Sequence, residues 1–402
     1  MSPAEATRPA RVLLVSTQPF FQWRGSSIRV KFNLLALESL GISVDLLAMP
    51  YGDDADDVKA RIYRVPGLPG VRNLPIGPSA AKLVLDVFML FQALVLVVRH
   101  RYDVIHATEE GGVIGWLAAR LTGARCIYEK HSDPASYAGG VVRRVVMRLY
   151  RAVERFTARH NDTVICTGPG LERQARSYAP EARIHHIPDI PSSLAEPGPD
   201  AVSAARETLV DDPEAVIVTY VGSFAVYRGV DLVFDAIPLV LEHHPRARFA
   251  IIGGTPAEIA HYRAALGPAA ESVRFTGPVD PDRLPAYLKA SDILLAPRRA
   301  GINTPLKVLD YFKAGRAIVA TDTEANRLIL DADCAQLSPF RAEDFAAAIG
   351  DLVDDPGARE RIAAEALQRY RTRYNFAVFT SQLATVYREL LQGAGGIDAI
   401  PG

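Results

Sequence analysis

Thr304-Pro305-Leu306-Lys307-Val308-Leu309-Asp310-Tyr311-Phe312-Lys313-Ala314-Gly315 reads as a short helix with both ends marked. Thr304 suits the N-cap, and Pro305 the first helical position, where no amide hydrogen is needed. Gly315 suits the left-handed residue past the last turn. The open amides of Leu306 and its neighbours and the positive dipole end of such a helix attract phosphate. Lys307 and Asp310 lie three apart and share a face. One reading gives Lys307 to a phosphate and Asp310 to ribose hydroxyls. The other is an i,i+3 salt bridge on a capped surface helix.

Outward from this helix, apolar runs alternate with helical patterns along the chain, as in doubly wound parallel sheets. Strands are expected at Arg11–Thr17, Ile42–Met49, Asp103–Thr108, Ala124–His131, Thr163–Thr167 and Arg183–Pro188. A Pro-rich stretch, Ile187–Asp200, reads as a linker. A second series follows at Ala215–Ser223, Ala247–Gly254, Val273–Pro278, Asp292–Pro297 and Ala317–Asp322. The expected architecture is α/β, with two Rossmann-like domains facing across a cleft. The expected divisions are 1–190, a linker at 191–214, a second domain at 215–375, a terminal helix at 376–392 packing back on the first domain, and a flexible tail at 393–402. Ligands of such sheets bind beyond the carboxyl ends of the strands.

The chain has 402 residues, 49% apolar and 23% charged, as ordinary soluble proteins have. Residues 1–190 carry 24 Lys/Arg against 18 Asp/Glu, a net +6, so the remaining half carries −7. An anionic surface would therefore meet the first half. Cys126, Cys166 and Cys334 lie in or beside apolar runs without metal-ligand spacing, so buried thiols in a reducing compartment are expected. No acidic or histidine cluster suggests a metal, and no cofactor is expected. The opening MSPAEATRPA lacks an apolar signal core, so the expected location is the cytoplasm.

Tyr220-Val221-Gly222-Ser223-Phe224-Ala225-Val226-Tyr227-Arg228-Gly229 ends one strand and opens a helix at Val230. Gly222 allows close approach of a ligand, and Arg228 precedes a second helix N-terminus. Arg228 and Lys307 could clamp a diphosphate from two sides; a plain strand–turn–helix with a solvated arginine also fits. These phrases, with FAIIGG, VRFTGPVDPDRLPAYLKASDILLAP and TPLKVLDYFKAGRAIVATD, resemble the donor domain of retaining GT-B glycosyltransferases of family 4. RVLLVST, DVIHAT and CIYEKHSDP resemble weaker patterns of its first domain.

The resemblance implies that Arg228 and Lys307 contact a donor diphosphate, with Ser223, Thr304, Pro305 and Leu306 around it. It implies that Asp310 holds the ribose, that the loop at Val279 meets the base, and that His131 faces the transferred sugar. Strand alternation puts Glu129 and His131 on one side. The Gly25 loop, which opens a helix at Gly25-Ser26-Ser27, would lie near the donor phosphate; a serine N-cap without function fits equally. The chain departs from the family where a first glutamate is replaced by Ile302, where the second is the shorter Asp310, and where Ser223 stands in place of a basic residue.

Leu83–Val98 is nearly all apolar but short for a membrane span, and reads as a buried or half-buried helix. In Val141–His160, Arg144, Arg148, Arg151, Arg155 and Arg159 form a basic stripe opposite an apolar face. That pattern suits anionic lipid headgroups, or a solvated face of a packed helix. Nucleic acid is not expected, since pI is near 6.8 and no aromatic–basic interleaving occurs. Together these features imply a retaining transferase moving sugar from a nucleotide-diphosphate donor to a glycan, lipid-linked or small-molecule acceptor, at the inner face of the plasma membrane. The alternatives are a GT-B sugar-nucleotide epimerase and a degenerate, non-catalytic binding subunit.

Overall fold

A computed structural model of the chain describes residues 8–20, 25–53, 55, 57–71, 79–133, 141–225, 228–300 and 303–392, with only the backbone at 80 and 141–146. Val12, Leu13, Leu14 and Val15 of strand Arg11–Ser16 (β1) are all fully buried. A strand covered on both faces reads as one apolar run, as parallel strands between helical layers do. After β1 come Gly25–Ser39 (α1), Ser43–Ala48 (β2), Arg61–Arg64 (β3), Ala80–Arg99 (α2) and Val104–Thr108 (β4). Gly111–Thr122 (α3), Arg125–Lys130 (β5), Val141–His160 (α4), Thr163–Cys166 (β6), Pro169–Tyr178 (α5) and Ile184–His186 (β7) follow. The strands are parallel in the order β3-β2-β1-β4-β5-β6-β7, which reverses direction between β1 and β4.

The second unit, Ile190–Asn375, contains Pro199–Leu209 (α6), Val216–Val221 (β8), Val230–His243 (α7), Ala247–Ile252 (β9), Pro256–Leu266 (α8), Val273–Gly277 (β10) and Leu284–Ala290 (α9). It continues with Ile293–Ala296 (β11), Leu306–Ala314 (α10), Ala317–Thr321 (β12), Glu324–Arg327 (α11), Gln336–Ser338 (β13), Ala342–Asp354 (α12) and Pro356–Arg373 (α13). Its parallel order is β10-β9-β8-β11-β12-β13, with the reversal between β8 and β11. The last helix, Phe376–Leu391 (α14), belongs to the first unit. There Phe376 meets Phe32 of α1 at 6.3 Å between ring centroids, and the Tyr387 hydroxyl lies 2.9 Å from His106 Nδ1.

Several expectations need correction. The stretch 191–214, read as a linker, contains α6, whose Ala205 and Leu209 pack with Ala286, Tyr287 and Ala290. Edge strands β3 and β13 were not foreseen, because RIYR is bounded by arginines and QLS holds one apolar residue, so neither reads as an apolar run. α10 starts one residue later than expected. Pro305, with ψ 101°, is its extended N-cap, and Thr304 lies outside it; Gly315 ends it with φ 62° as anticipated. On α4, Leu149 is exposed rather than packed, although it belongs to the face read as apolar. The Arg144 side chain, Ile302 and the tail at 393–402 lie outside the described residues.

Phe379 of α14 is 1% exposed and carries the Arg29 guanidinium 4.5 Å above its ring. Phe379→Ala should therefore lower stability by about 3–5 kcal/mol in denaturant titration. A loss below about 1 kcal/mol would show that α14 is peripheral to the first unit's core.

Candidate functional site

In the second unit, Arg228 after β8 and Lys307 on α10 converge on Gly222, and the loop after β11 meets the start of α7 at Gly229. Arg228 stands just before α7, which begins after Gly229, with φ +71°. A Cβ on Gly229 would lie 1.6 Å from the Pro297 carbonyl oxygen, so glycine alone permits the β11 loop to touch the start of α7. Gly222 has φ +143°, and a Cβ there would stand 3.5 Å from Lys307 Nζ and 3.6 Å from Arg228 Nη1. Two cationic heads thus point at the space left by one absent side chain.

Lys307 Nζ also sits 4.2 Å above the centre of the Tyr220 ring. It is buried and has no hydrogen-bond partner among the described residues. Burial, then Arg228, then Arg298 push its ammonium well below the ordinary lysine range. The ring contact offsets part of that cost but supplies no charge. A basic group buried beside two arginines holds its proton poorly, a deficit that a polyanion would relieve. Arg298 was missed in the sequence. The signal was available, since it follows β11 at the carboxyl edge of the sheet beside the reversal point.

Asp310 does not form the i,i+3 salt bridge with Lys307. Its Oδ1 accepts from the Ser192 amide at 2.6 Å and the Ser192 hydroxyl at 2.9 Å. Burial pushes its carboxyl up to about 6, against the Ser192 bonds and Lys313. Lys313 donates to the carbonyls of Ser193 and Ala195 at 2.8 and 2.7 Å, so α10 also fastens the chain entering this unit. Ser223 is exposed, and its carbonyl accepts from the Tyr220 hydroxyl at 2.9 Å, fixing the ring beneath Lys307. Pro305 is buried, Leu306 packs on the core around α10, and Val279 packs half-buried beside Leu284.

In the first unit, Glu129 at the end of β5 is fully buried and gathers charge from three elements. Its Oε1 accepts from Arg29 Nε at 2.9 Å, and its Oε2 accepts from Asn33 Nδ2 at 2.6 Å. His131 Nε2 stands 3.0 Å and His106 Nε2 3.4 Å from the same Oε2. Burial opposes its ionisation, but Arg29, His131 and His106 outweigh that and hold the carboxyl well below its usual range. Burial likewise disfavours charge on His131, yet Glu129 outweighs it, and the imidazole is raised above its ordinary value. His131 Nδ1 is buried and has no hydrogen-bond partner among the described residues. When protonated, this imidazole has one N–H to spare, a donor awaiting an acceptor. Gly25 is the first residue of α1, and the Ser27 hydroxyl donates to the Pro19 carbonyl. Arg148, Arg151, Arg155 and Arg159 of α4 are exposed.

Two doubly wound parallel sheets, one with cations gathered at its reversal point, define the GT-B class of α/β fold. A family model described as glycosyl transferases group 1 matches residues 215–355, and one described as a glycosyl transferase 4-like domain matches residues 25–189. The chain belongs to the group 1, family 4-like glycosyltransferases. It is similar to the alpha-D-kanosaminyltransferase of Streptomyces kanamyceticus, 25% identical over 68% of this chain and 73% of that one. It is also similar to the phosphatidyl-myo-inositol mannosyltransferase of Mycolicibacterium smegmatis, 30% identical over 55% of this chain and 56% of that one. The chain thus spans about half the length of the mannosyltransferase it matches. Among solved structures, sucrose-phosphate synthase of Thermosynechococcus elongatus superposes with a TM-score of 0.78 at 20% identity, over 95% of this chain and 99% of that one. Anabaena HepE, solved with UDP and glucose, gives 0.70 at 16% identity, over 95% of this chain and all of that one.

If Lys307 is held uncompensated, removing its charge should help the unliganded fold. Lys307→Met is expected to raise stability by on the order of 1 kcal/mol. Because burial lowers the lysine's affinity for protons in the folded state, the native chain binds fewer protons there than the unfolded chain. Wild-type stability should therefore fall relative to the variant as pH drops through the unfolded lysine value of about 10.4 toward the lowered folded one. Paired thermal melts across pH check this; a variant that melts earlier at every pH would mean the ammonium is structurally needed.

Proposed function

We propose that the protein is a retaining glycosyltransferase that takes sugar from a nucleotide-diphosphate donor. The carrying observation is the buried, unpartnered Lys307 ammonium beside Arg228 and Arg298. Those cations and the start of α10 would meet the diphosphate, and Asp310 the ribose. One Asp310 oxygen serves Ser192, but a carboxylate has acceptor positions to spare. The bond from the anomeric carbon to the phosphate oxygen breaks, and the charge developing on that oxygen is met by Arg228 and Lys307. The acceptor oxygen bonds the anomeric carbon from the same face and passes its proton to the departing phosphate. With three side-chain cations at hand, the reading calls on no metal or further cofactor. His131 is assigned to the transferred sugar, in line with its spare Nδ1.

A lipid-linked or glycan acceptor fits the basic first half and the phosphatidyl-myo-inositol acceptor named for the mannosyltransferase relative. A thermal-shift screen with UDP, GDP and their sugars identifies the donor, since a ligand of the native state raises the melting temperature. Proton NMR of the transfer product then reads stereochemistry: the reading expects the donor's anomeric configuration to be kept, and an inverted product overturns it. Epimerised donor released without acceptor points to an epimerase. Donor binding with neither transfer nor hydrolysis points to a binding subunit.

Arg228→Ala and Lys307→Ala should each weaken nucleoside-diphosphate binding by roughly tenfold to a hundredfold, the usual effect of losing one charge-assisted hydrogen bond of about 1.5–3 kcal/mol. Fluorescence or calorimetric titration with UDP and GDP measures this. Unchanged affinity in both variants would discard the clamp.

A further inference from the structure

The outer face of α2 has no partner among the described residues. The inner face, with Leu85, Met89, Ala93, Leu96 and Val97, is built into the core beside β1, β2 and β4. The helix therefore cannot leave the fold to cross a bilayer, although residues 81–99, with mean hydropathy 2.2, are long and apolar enough to do so. On the other side Leu83, Val84, Val87, Phe88, Phe91, Val95 and Val98 are exposed, Phe91 at 63% and Val98 at 82%. Their spacing of three and four puts them on one stripe. No charged residue interrupts it: Lys82 is buried and paired with Glu110, and Asp86 is turned inward, its carboxyl pushed up to about 7 by burial. Soluble surfaces rarely leave such a run uncovered.

The surroundings of the stripe identify its occupant. α2 packs on α3, and α3 packs on α4, so the three helices share one face of the sheet. Exposed Arg99 and Arg101 lie at the end of α2, and Arg120 lies at the end of α3 beside exposed Leu121. On α4, Arg148, Arg151 and Arg155 are exposed around Leu149. An apolar stripe bordered by arginines matches a layer that is apolar inside and anionic at its rim. A second copy fits less well, because self-pairing would bring like-charged rims together.

We propose that the α2 stripe is a membrane-docking face, seated at the headgroup–acyl boundary of an anionic bilayer with the α4 arginines on the headgroups. This deepens the lipid-linked acceptor of the proposed function and rests on that reading only for its purpose. Vesicle binding is read without catalysis, so either idea can fail alone.

The test is flotation of the full chain with vesicles of phosphatidylcholine alone or with phosphatidylglycerol, at low and high salt. Native protein should bind the anionic vesicles and lose most of that binding in high salt. Phe88→Ser/Phe91→Ser should bind at least tenfold more weakly at both salt levels. Arg148→Glu/Arg151→Glu should lose a similar factor at low salt only. All these positions are exposed, and unchanged circular dichroism and melting temperature confirm folding. Three results would overturn the proposal: native protein ignoring anionic vesicles, either variant binding as the native chain does, or a native dimer that Phe88→Ser/Phe91→Ser dissociates without any vesicle binding. The last would make the stripe a contact between copies.

Discussion

The second unit is organised around a buried basic group that it leaves without a counter-charge. Lys307 is carried on the first turn of α10, laid over the Tyr220 ring, and left without a hydrogen-bond partner among the described residues. Much of the nearby chain serves that placement. Gly222 leaves the space into which Lys307 and Arg228 point, and Gly229 lets Pro297 close against the start of α7. The Tyr220 ring is fixed by its hydroxyl bond to Ser223, and Tyr311 anchors α10 through its hydroxyl to the Leu295 carbonyl at 3.0 Å. A fold tolerates such a deficit where a ligand repays it, and function and stability then oppose each other at one side chain.

The first unit handles buried charge in the opposite way. Glu129 is satisfied by Arg29, Asn33 and two histidines, and Arg29 also donates to the Pro188 carbonyl at 2.8 Å. The network reaches α14 through His106 and Tyr387, and through Arg29 above Phe379. The last helix of the chain thus braces the elements that hold His131. Low dielectric makes such a network rigid when every member is paired. Among the described nitrogens of this network, His131 Nδ1 alone has neither a hydrogen-bond nor an ion-pair partner.

Much of the fold was legible because β1, β2, β4, β8, β9, β11 and β12 are mainly apolar and buried along most of their length. Edge strands β3 and β13 were not, since RIYR is bounded by arginines and QLS holds a single apolar residue, so neither reads as an apolar run. α6 was hidden by the prolines and glycine that precede it. Of the site, Arg228, Lys307 and Gly222 were readable from helix ends and a strand-end glycine. Arg298 was not singled out, although its position after β11 offered a cue. The partners of Glu129 could not be read at all: Arg29 and Asn33 lie 100 and 96 residues away, and only tertiary packing brings them in. The Ser192 contact hid in the same way, 118 residues from Asp310. The α2 stripe was visible as composition, but which half of the helix would be covered depended on the sheet beneath it.

The central claim is that Lys307 waits for a diphosphate. Binding such an anion should restore its proton, because the ligand stabilises the charged form that burial and two arginines disfavour. Calorimetric titration with UDP at several pH values from about 8 to the ordinary lysine value of about 10.4, where the ligand's own phosphate, with a second pKa of about 6, is already ionised, isolates this step. Run in buffers of different ionisation enthalpy, it should show net proton uptake by native protein and none by Lys307→Met. Tight binding with no proton uptake, or the same uptake in both proteins, would contradict the account.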